Sequence, residues 1–422
     1  MQTILEVKQK TRLQETIHMS TSLLYQAFGV RGYRHSRTDY FEGAVMFTIE
    51  QDRTALRCPV CHSPNVTAHG SEPRVFRLVP IGSRRVHLFF RIPRVECHTC
   101  HVTRQVKLAF ADPRFSYSHL LERYALDLLR HMTIKDVARH LGIGWDAIKD
   151  IQKRFLQRHF AQPKLKRLRH IAIDEISIGK GHHYLTVVLD LDSGAVVFVG
   201  DGKGADALDP FWKRLKASHA KVKAVATDMG MPYILAVRRH LPRAVHVFDH
   251  FHVIKLFNDK LSELRRDLYR EATDQLHKDI LKGTRWLLLK NPENLDDRRG
   301  ERERLDEALR INQPLATAYY MKEDLRQIWL QENKATARRV LQDWVRRAEA
   351  SGIRMLQRFA ATLALHAPGI LAYYDSPIST GPLEGTNTKI QLMKRQAYGF
   401  RDHEFFKLKI YAIHRTKYAL VG

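Results

Sequence analysis

The sequence is poor in cysteine, in acid and in long apolar runs, and each shortage narrows what the chain can be. It holds 4 cysteines in 422 residues. With no run of about 18 apolar residues, no membrane-spanning helix is expected. Residues 1–8 show no apolar core followed by a small-residue cleavage site, so no signal peptide is expected either. Acid is the largest deficit. Lys plus Arg number 70 against 45 for Asp plus Glu, a formal net charge of +25 and a sequence pI near 10.0. A charge of that size on a non-membrane chain points to a polyanionic partner, nucleic acid first. Hydrophobic residues at 44% and charged residues at 27% are ordinary for folded domains, which argues against wholesale disorder. The length suggests two to four domains at roughly 150 residues each.

The four cysteines form two pairs, Cys58-Pro59-Val60-Cys61 and Cys97-His98-Thr99-Cys100. Two residues between thiolates let one tight turn place both sulfurs on one ion, and two such turns complete a tetrahedral zinc site. Two disulfides are the alternative, disfavoured without a secretion signal. Residues 75–79 and 85–92 alternate apolar with basic side chains, as the strands of a zinc-ribbon hairpin do. His62, His98 and His101 flank the knuckles as possible substitute ligands. Four thiolates close the site, so its expected role is structural.

From residue 117 to 160 the pattern turns helical. Leu120, Leu121, Tyr124, Leu128 and Leu129 share one face. Thr133 reads as an N-cap with Asp136 three positions on. Ala138 is small where two helices would touch, Gly142 sits at a turn, and Trp145, Ile148 and Ile151 are spaced to pack a second helix. This is a helix-turn-helix pattern. Residues 151–170 then carry Lys153, Arg154, Arg158, Lys164, Lys166, Arg167 and Arg169 without one acid. They are expected to contact phosphates from a helix end and a linker, with Pro163 marking the boundary.

After the linker, strands are expected over residues 170–178, 183–191, 195–200, 224–228 and 244–248, with helices over 209–216 and up to 241. Three strands in a meander followed by alternating helices and strands is the order of a ribonuclease-H-like fold. In that fold divalent metal is bound by carboxylates on the first strand and at the end of the fourth. Asp174 and Asp228 hold those places. A lone carboxylate inside the apolar strand around Asp174 is costly unless something compensates it. A third carboxylate must come from a helix on the same face. Glu384, in Gly381-Pro382-Leu383-Glu384, is the candidate; the plainer reading is an ordinary helix-start acid.

Taken in order, the paired cysteines, the helix-turn-helix, Ile173-Asp174-Glu175 and the C-terminal run carry a resemblance. That run reads Gly381-Pro382-Leu383-Glu384-Gly385-Thr386-Asn387 and continues through Lys394-Arg395-Gln396-Ala397-Tyr398-Gly399-Phe400-Arg401-Asp402. The chain resembles bacterial insertion-sequence transposases of the ISL-three family, from about Met19 to its end; Met1 and Met19 both stand as possible starts. The resemblance implies a multidomain α/β protein: an N-terminal zinc ribbon, a helix-turn-helix, and a ribonuclease-H-like catalytic core interrupted by an all-helical insertion. The expected division is 1–57 as an N-terminal segment with short strands, 58–110 as ribbon and 115–162 as DNA-binding helices. The core then occupies 163–260 and 371–422, around an insertion over 261–370.

The resemblance further implies that Asp174, Asp228 and Glu384 are catalytic and bind Mg²⁺, two ions in all, with Mn²⁺ as a substitute, while zinc on Cys58, Cys61, Cys97 and Cys100 is structural. Strand cleavage and strand transfer would follow without a covalent protein intermediate. Asp249 and His252 resemble a motif near the catalytic centre of related transposases; a buried hydrogen-bonded pair is the equal alternative. Arg285-Trp286 resembles a pair near the transposon end, although a core tryptophan is the preferred reading. Lys389, Lys394, Arg395 and Arg401 follow the catalytic Glu where a substrate phosphate would lie. The implied partners are double-stranded DNA, as terminal inverted repeats and target, and a second copy of the chain or more in the synaptic complex. No membrane is involved, and the implied place is the bacterial cytoplasm, nucleoid-associated when bound. A ribonuclease-H-like nuclease on other nucleic acids and a DNA-binding regulator are the rival readings.

Overall fold

The computed structural model describes residues 22–179, 181 and 183–414. The choice between Met1 and Met19, and the tail of the last expected domain, lie outside the described residues. The chain forms two compact units, Met1–Phe155 and Leu156–Gly422.

In the first unit, α1 (Leu23–Phe28) precedes a five-stranded sheet. Its strands are β1 (Arg34–Phe41), β2 (Ala44–Glu50), β3 (Val66–Ile81), β4 (Arg84–Cys97) and β5 (Thr103–Gln105). The order is β1-β2-β4-β3, with β5 on the free stretch of β4. The expected hairpin is present and pairs Phe76 with Leu88 and Leu78 with Val86. Period-2 alternation turns all four inward, where they are buried. The strands run on past the expected stretch until Val66 pairs with Cys97, so the hairpin itself delivers the second knuckle. Leu24, Phe28, Phe47 and Ile49 share that core. The expected division at 57/58 therefore cuts through one sheet. The N-terminal hairpin is joined to the ribbon by β2 running parallel to β4, and parallel pairing leaves no local turn signal in the sequence.

Three helices complete this unit: α2 (His119–Leu128), α3 (Ile134–Leu141) and α4 (Trp145–Phe160), the last reaching across the unit boundary. Leu121, Ala125, Val137, Leu141, Ile148 and Ile151 form their core. The Thr133 hydroxyl accepts the Asp136 backbone N–H at 3.2 Å, and Gly142 at φ 60° closes α3 in the left-handed region that suits glycine.

The second unit is built on β6 (His170–Ser177), β7 (Tyr184–Asp190), β8 (Val196–Asp201), β9 (Ala224–Thr227) and β10 (Val245–Phe248). Between them lie α5 (Asp209–Ser218) and α6 (Met231–His240). Sheet order is β10-β9-β6-β7-β8. β6, β7 and β8 pair antiparallel; β9 lies parallel to β6, and β10 parallel to β9. This is the expected meander followed by crossovers. The β9 residues Ala224 to Thr227 are all buried, as befits a central parallel strand covered on both faces.

The chain then leaves the sheet through α7 (His250–Glu271) and winds through α8 (Gln275–Gly283), α9 (Glu301–Ile311), α10 (Gln313–Arg326), α11 (Lys334–Ala350) and α12 (Arg354–Leu371). These helices fill the stretch expected as an insertion over 261–370, but the first of them already begins at His250. They enclose their own core, centred on Phe257, Trp344 and Phe359 in edge-to-face contact 4.9–5.9 Å apart. The Trp344 indole N–H donates to Met321 O at 2.8 Å. Gly369 of α12 meets β10 directly, since a Cβ there would fall 2.4 Å from the Phe248 ring. That close approach fixes the strand end from which Asp249 follows. α13 (Gly381–Gln396) returns to the sheet, and α14 (His403–Tyr411) packs on β8, where the Tyr411 hydroxyl accepts the Val199 N–H at 3.0 Å. Among the described residues no helix is long and apolar enough to cross a membrane.

Candidate active site and metal centre

The four cysteines converge. Cys58 Sγ lies 3.6 Å from Cys100 Sγ, and Cys61 Sγ 3.5 Å from Cys97 Sγ. Those gaps are far above a disulfide bond of about 2.05 Å. They approach the roughly 3.8 Å edge of a tetrahedron with zinc–sulfur bonds of about 2.3 Å. The two knuckles fold alike. His62 N–H donates to Cys58 O at 3.0 Å and His101 N–H to Cys97 O at 2.9 Å. Cys58 N–H reaches Ser63 O, and Cys97 N–H reaches Val102 O. Both turns close on a histidine in the left-handed region, His62 at φ 61° and His101 at φ 54°. His98 Nε2 is engaged with Thr67 Oγ1 at 2.7 Å. None of the three belongs to the metal-capable cluster, which consists of the four cysteines.

The helical module is anchored to the sheet by a residue the sequence reading missed. Arg77 Nη2 donates to Leu141 O at 2.8 Å, satisfying a carbonyl at the C-terminal end of α3 and favourably placed against its dipole. Arg154, expected among the phosphate contacts, is occupied inside this unit. Its Nη2 donates to Tyr117 Oη at 3.0 Å and pairs with Glu122 Oε1 at 2.5 Å, and its guanidinium lies 4.0 Å from the Phe115 ring. The acid-free window missed this because Glu122 is supplied from another helix. Lys153 is half-buried, whereas Arg158, Lys164, Lys166, Arg167 and Arg169 are exposed.

In the second unit the expected carboxylates lie on three elements: Asp174 within β6, Asp228 just past β9 and Glu384 in α13. Asp174 projects from β6, and Asp228 follows β9 directly, its Oδ1 accepting the Gly230 N–H at 2.9 Å. Alternation along β6 sends the neighbouring Glu175 to the Tyr233 hydroxyl at 2.6 Å and the Gly204 N–H, away from this group. Glu384 lies in the first turn of α13. Asn387, one turn further, donates from Nδ2 to Asp174 Oδ2 at 2.9 Å, and Gln391 donates to Ser177 O at 2.6 Å. Glu384, Asn387 and Gln391 share one helix face by their spacing, and that face binds α13 to β6.

Asp249 and His252 complete the cluster. Asp249 is buried at the start of α7 and accepts from His252 Nδ1 at 3.3 Å and from the Thr380 N–H at 3.2 Å. Ligand atoms of Asp249, His252 and Glu384 lie within 4.8 Å of one another, close enough to share a cation. Among the described residues this triplet and the cysteines are the groups with such spacing. Electrostatics tie it to the other carboxylates. Burial raises the Asp174 carboxyl, opposed by the Glu175 N–H and by His252 and reinforced by the charge of Asp228. Burial likewise raises Glu384, with Asp249 and Asp174 adding to the shift against His252. Burial pulls the His252 imidazole down, but the hydrogen bond to Asp249 and the charges of Asp174, Asp249 and Asp228 prevail and raise it. A crowd of carboxylates around one imidazole is short of positive charge, the condition a divalent cation relieves.

The remaining expected residues lie on exposed surface. Trp286 is 63% exposed, with the Arg285 guanidinium 4.6 Å from its ring. The core reading of Trp286 is thereby overturned: the core tryptophan of the insertion is Trp344. The turn that carries Trp286 is held by the buried Lys322 ammonium, which donates to Leu288 O and Lys290 O at 2.9 Å. Lys389, Arg395 and Arg401 are exposed and Lys394 half-exposed. Tyr398, not singled out from the sequence, is fully exposed at φ 52° between them.

Known protein families match three stretches of the chain. Residues 171–410 match a family described as Transposase. Residues 106–156 match the helix-turn-helix domain of transposase family ISL3, and residues 55–100 the zinc-finger of transposase IS204/IS1001/IS1096/IS1165. The chain is similar to the transposase for insertion sequence element IS1001 of Bordetella parapertussis, 33% identical over 400 residues, 93% of this chain and 98% of that one. It is also similar to the transposase for insertion sequence element IS1557 of Mycobacterium tuberculosis, 28% identical over 390 residues, 86% of this chain and 87% of that one. A solved structure, the Drosophila P element transposase strand transfer complex, aligns with a TM-score of 0.38 at 10% identity, covering 70% of this chain and 91% of that one.

Proposed function

This chain belongs to the ISL3 family of insertion-sequence transposases, and from that premise we propose which residues carry its DNA chemistry. It is a DNA transposase with a structural zinc ribbon and a DNA-binding helix-turn-helix. In our reading it binds the terminal inverted repeats of its element and performs Mg²⁺-dependent strand cleavage and strand transfer, with Asp174, Asp228 and Glu384 as catalytic carboxylates. The observation that carries this is α13 tied to β6 through Asn387 and Gln391, which brings Glu384 into the field of Asp174.

Asp174, Asp228 and Glu384 would hold the metal, since hard oxygen donors suit Mg²⁺, and Asp249 and His252, the pair whose ligand atoms lie within 4.8 Å of Glu384 in the structure, would border it. When bound, it supplies Lewis-acid stabilisation of the phosphodiester and a lowered pKa for an attacking water. Asn387 keeps one Asp174 oxygen oriented. Asp249 holds His252 through Nδ1, leaving Nε2 to face a phosphate or carry a proton. Trp286 with Arg285, and Lys389, Lys394, Arg395 and Arg401, offer aromatic and cationic surface to DNA. Two ends must be brought together, so the working form is a dimer or larger, acting in the cytoplasm on nucleoid DNA. Light scattering on paired ends that returned a monomer would contradict that assembly.

The test is incubation of the zinc-loaded protein with end-labelled terminal repeats and Mg²⁺. Cleaved ends joined to target DNA are expected. Cleavage without joining would instead identify a nuclease, and binding alone a regulator.

A further inference from the structure

We propose that the edge of the catalytic sheet opposite the carboxylates is a second groove for the DNA backbone, holding a duplex segment other than the one being cut. This rests on the DNA-transposase activity but not on the assignment of the three carboxylates.

Strand polarity separates the two edges. β6 and β9 run parallel, with His170 beside Ala224 at their amino ends and Asp174 and Asp228 toward their carboxyl ends. At about 3.3 Å per residue, His170 lies roughly 13 Å along the strand from Asp174. At the amino edge lies a cavity of about 990 Å³. Lys164, Lys166, Arg167, Arg169 and Lys221 line it. A second cavity of about 620 Å³ is lined by Lys213, Lys216 and Arg239 against one acid, Asp209. His219 lines both, so the two cavities are neighbours.

The cations are displayed from a fixed backbone. Leu165 and Leu168 are buried in the sheet core, which turns the charged residues between and beside them outward. Arg214 donates to Pro163 O at 2.8 Å and the Lys223 N–H to Arg169 O at 2.7 Å, pinning the segment at both ends. The acids of the first cavity are already engaged. Asp190 accepts the Ser193 hydroxyl and the backbone N–H groups of Asp192 and Ser193, and Asp192 faces His170 Nδ1 at 2.7 Å. In the second cavity, Trp212 is 4% exposed and stacks on His240 with ring centroids 5.0 Å apart. Its indole N–H has no acceptor among the described residues. Positive charge spread over two neighbouring cavities fits a linear polyanion better than a single phosphate group.

The test uses the full-length, zinc-loaded chain. Lysine acetylation is followed by mass spectrometry with and without a long duplex. Lys164, Lys166, Lys213, Lys216 and Lys221 are expected to become protected, and unchanged reactivity would overturn the proposal. Protection by a nucleoside triphosphate at equal phosphate concentration as strong as by the duplex would also overturn it, in favour of a nucleotide pocket. In a second arm, Lys166→Gln/Arg167→Gln and Lys213→Gln/Arg239→Gln are titrated with duplex at several salt concentrations. The log–log salt slope is expected to shrink by about 0.9 per phosphate contact removed. A slope unchanged in both pairs, with thermal unfolding as in the parent, would count against the groove. Failure of the carboxylate assignment would appear separately, as cleavage that survives loss of Glu384.

Discussion

The cysteine cluster and the carboxylate cluster are both groups that could hold metal, yet they are built in opposite ways. Each cysteine pair lies within one turn, and backbone N–H groups of that same turn close it. The carboxylate group draws on one strand, two strand ends and the start of a helix, and its tie from Asn387 to Asp174 spans 213 residues. The first is closed and made of soft donors, suited to holding a fold together. The second is half-exposed, made of oxygens and one imidazole, and surrounded by groups that raise each other's proton affinity. Local closure builds structure; assembly over distance builds a site that can admit substrate.

The largest expected effect removes the closed site. Cys97→Ser, or chelation of the metal, should unfold the ribbon, because such sites contribute on the order of 10 kcal/mol of folding free energy. Hydrogen exchange should rise through β3 and β4, and retained protection there would show that the cysteine site does not hold the ribbon together.

A second prediction concerns pH. Burial pushes His246 down to about 4, with its Nε2 2.8 Å from Thr227 Oγ1 just before Asp228. The unfolded chain would bind a proton near pH 6.5 that the folded chain refuses. Stability from this group is therefore full above about pH 6.5 and lost as pH falls toward 4, by on the order of 2–3 kcal/mol. Thermal unfolding of His246→Asn should show a shallower loss across that window; an identical pH profile would remove His246 from the account.

These contrasts also explain what could be read from sequence. The knuckles were legible because their chemistry is local, and Asp174 because a carboxylate in an apolar strand demands a partner. The order of the core strands was legible for the same reason, through alternation and turn residues. Glu384 was separable from a plain helix-start acid only by resemblance, since its partners lie across the chain. Asn387 and Thr380 carried no signal of their own; an amide and a hydroxyl become informative only beside the carboxylates they touch. Arg154 looked like a phosphate contact because the acid-free window begins at 151, well past Glu122 in the preceding helices. Trp286 looked like core because a tryptophan in a helical stretch says nothing about which way its turn faces.

A smaller effect sharpens the carboxylate side. Asn387→Ala should cut activity about 10–100-fold, as loss of groups orienting metal ligands commonly does, and weaken Mg²⁺ dependence while leaving DNA binding intact. An unchanged Mg²⁺ titration would reduce Asn387 to a packing residue. Smallest is the helix cap in the first unit. Thr133→Ala should lower its stability by about 1 kcal/mol, read by denaturant unfolding, and a null result would show that Asp136 and Gly142 suffice to frame α3.

The central claim is that Asp174, Asp228 and Glu384 act together on DNA held by other parts of the chain. It is tested most directly by donor excision and repeat binding measured side by side for Asp174→Ala, Asp228→Ala and Glu384→Ala. Excision should fall by roughly 10³-fold or more in each, the loss of several kcal/mol of transition-state stabilisation, while repeat affinity stays within about twofold of the parent. Excision retained in any one of them would contradict the role assigned to that carboxylate.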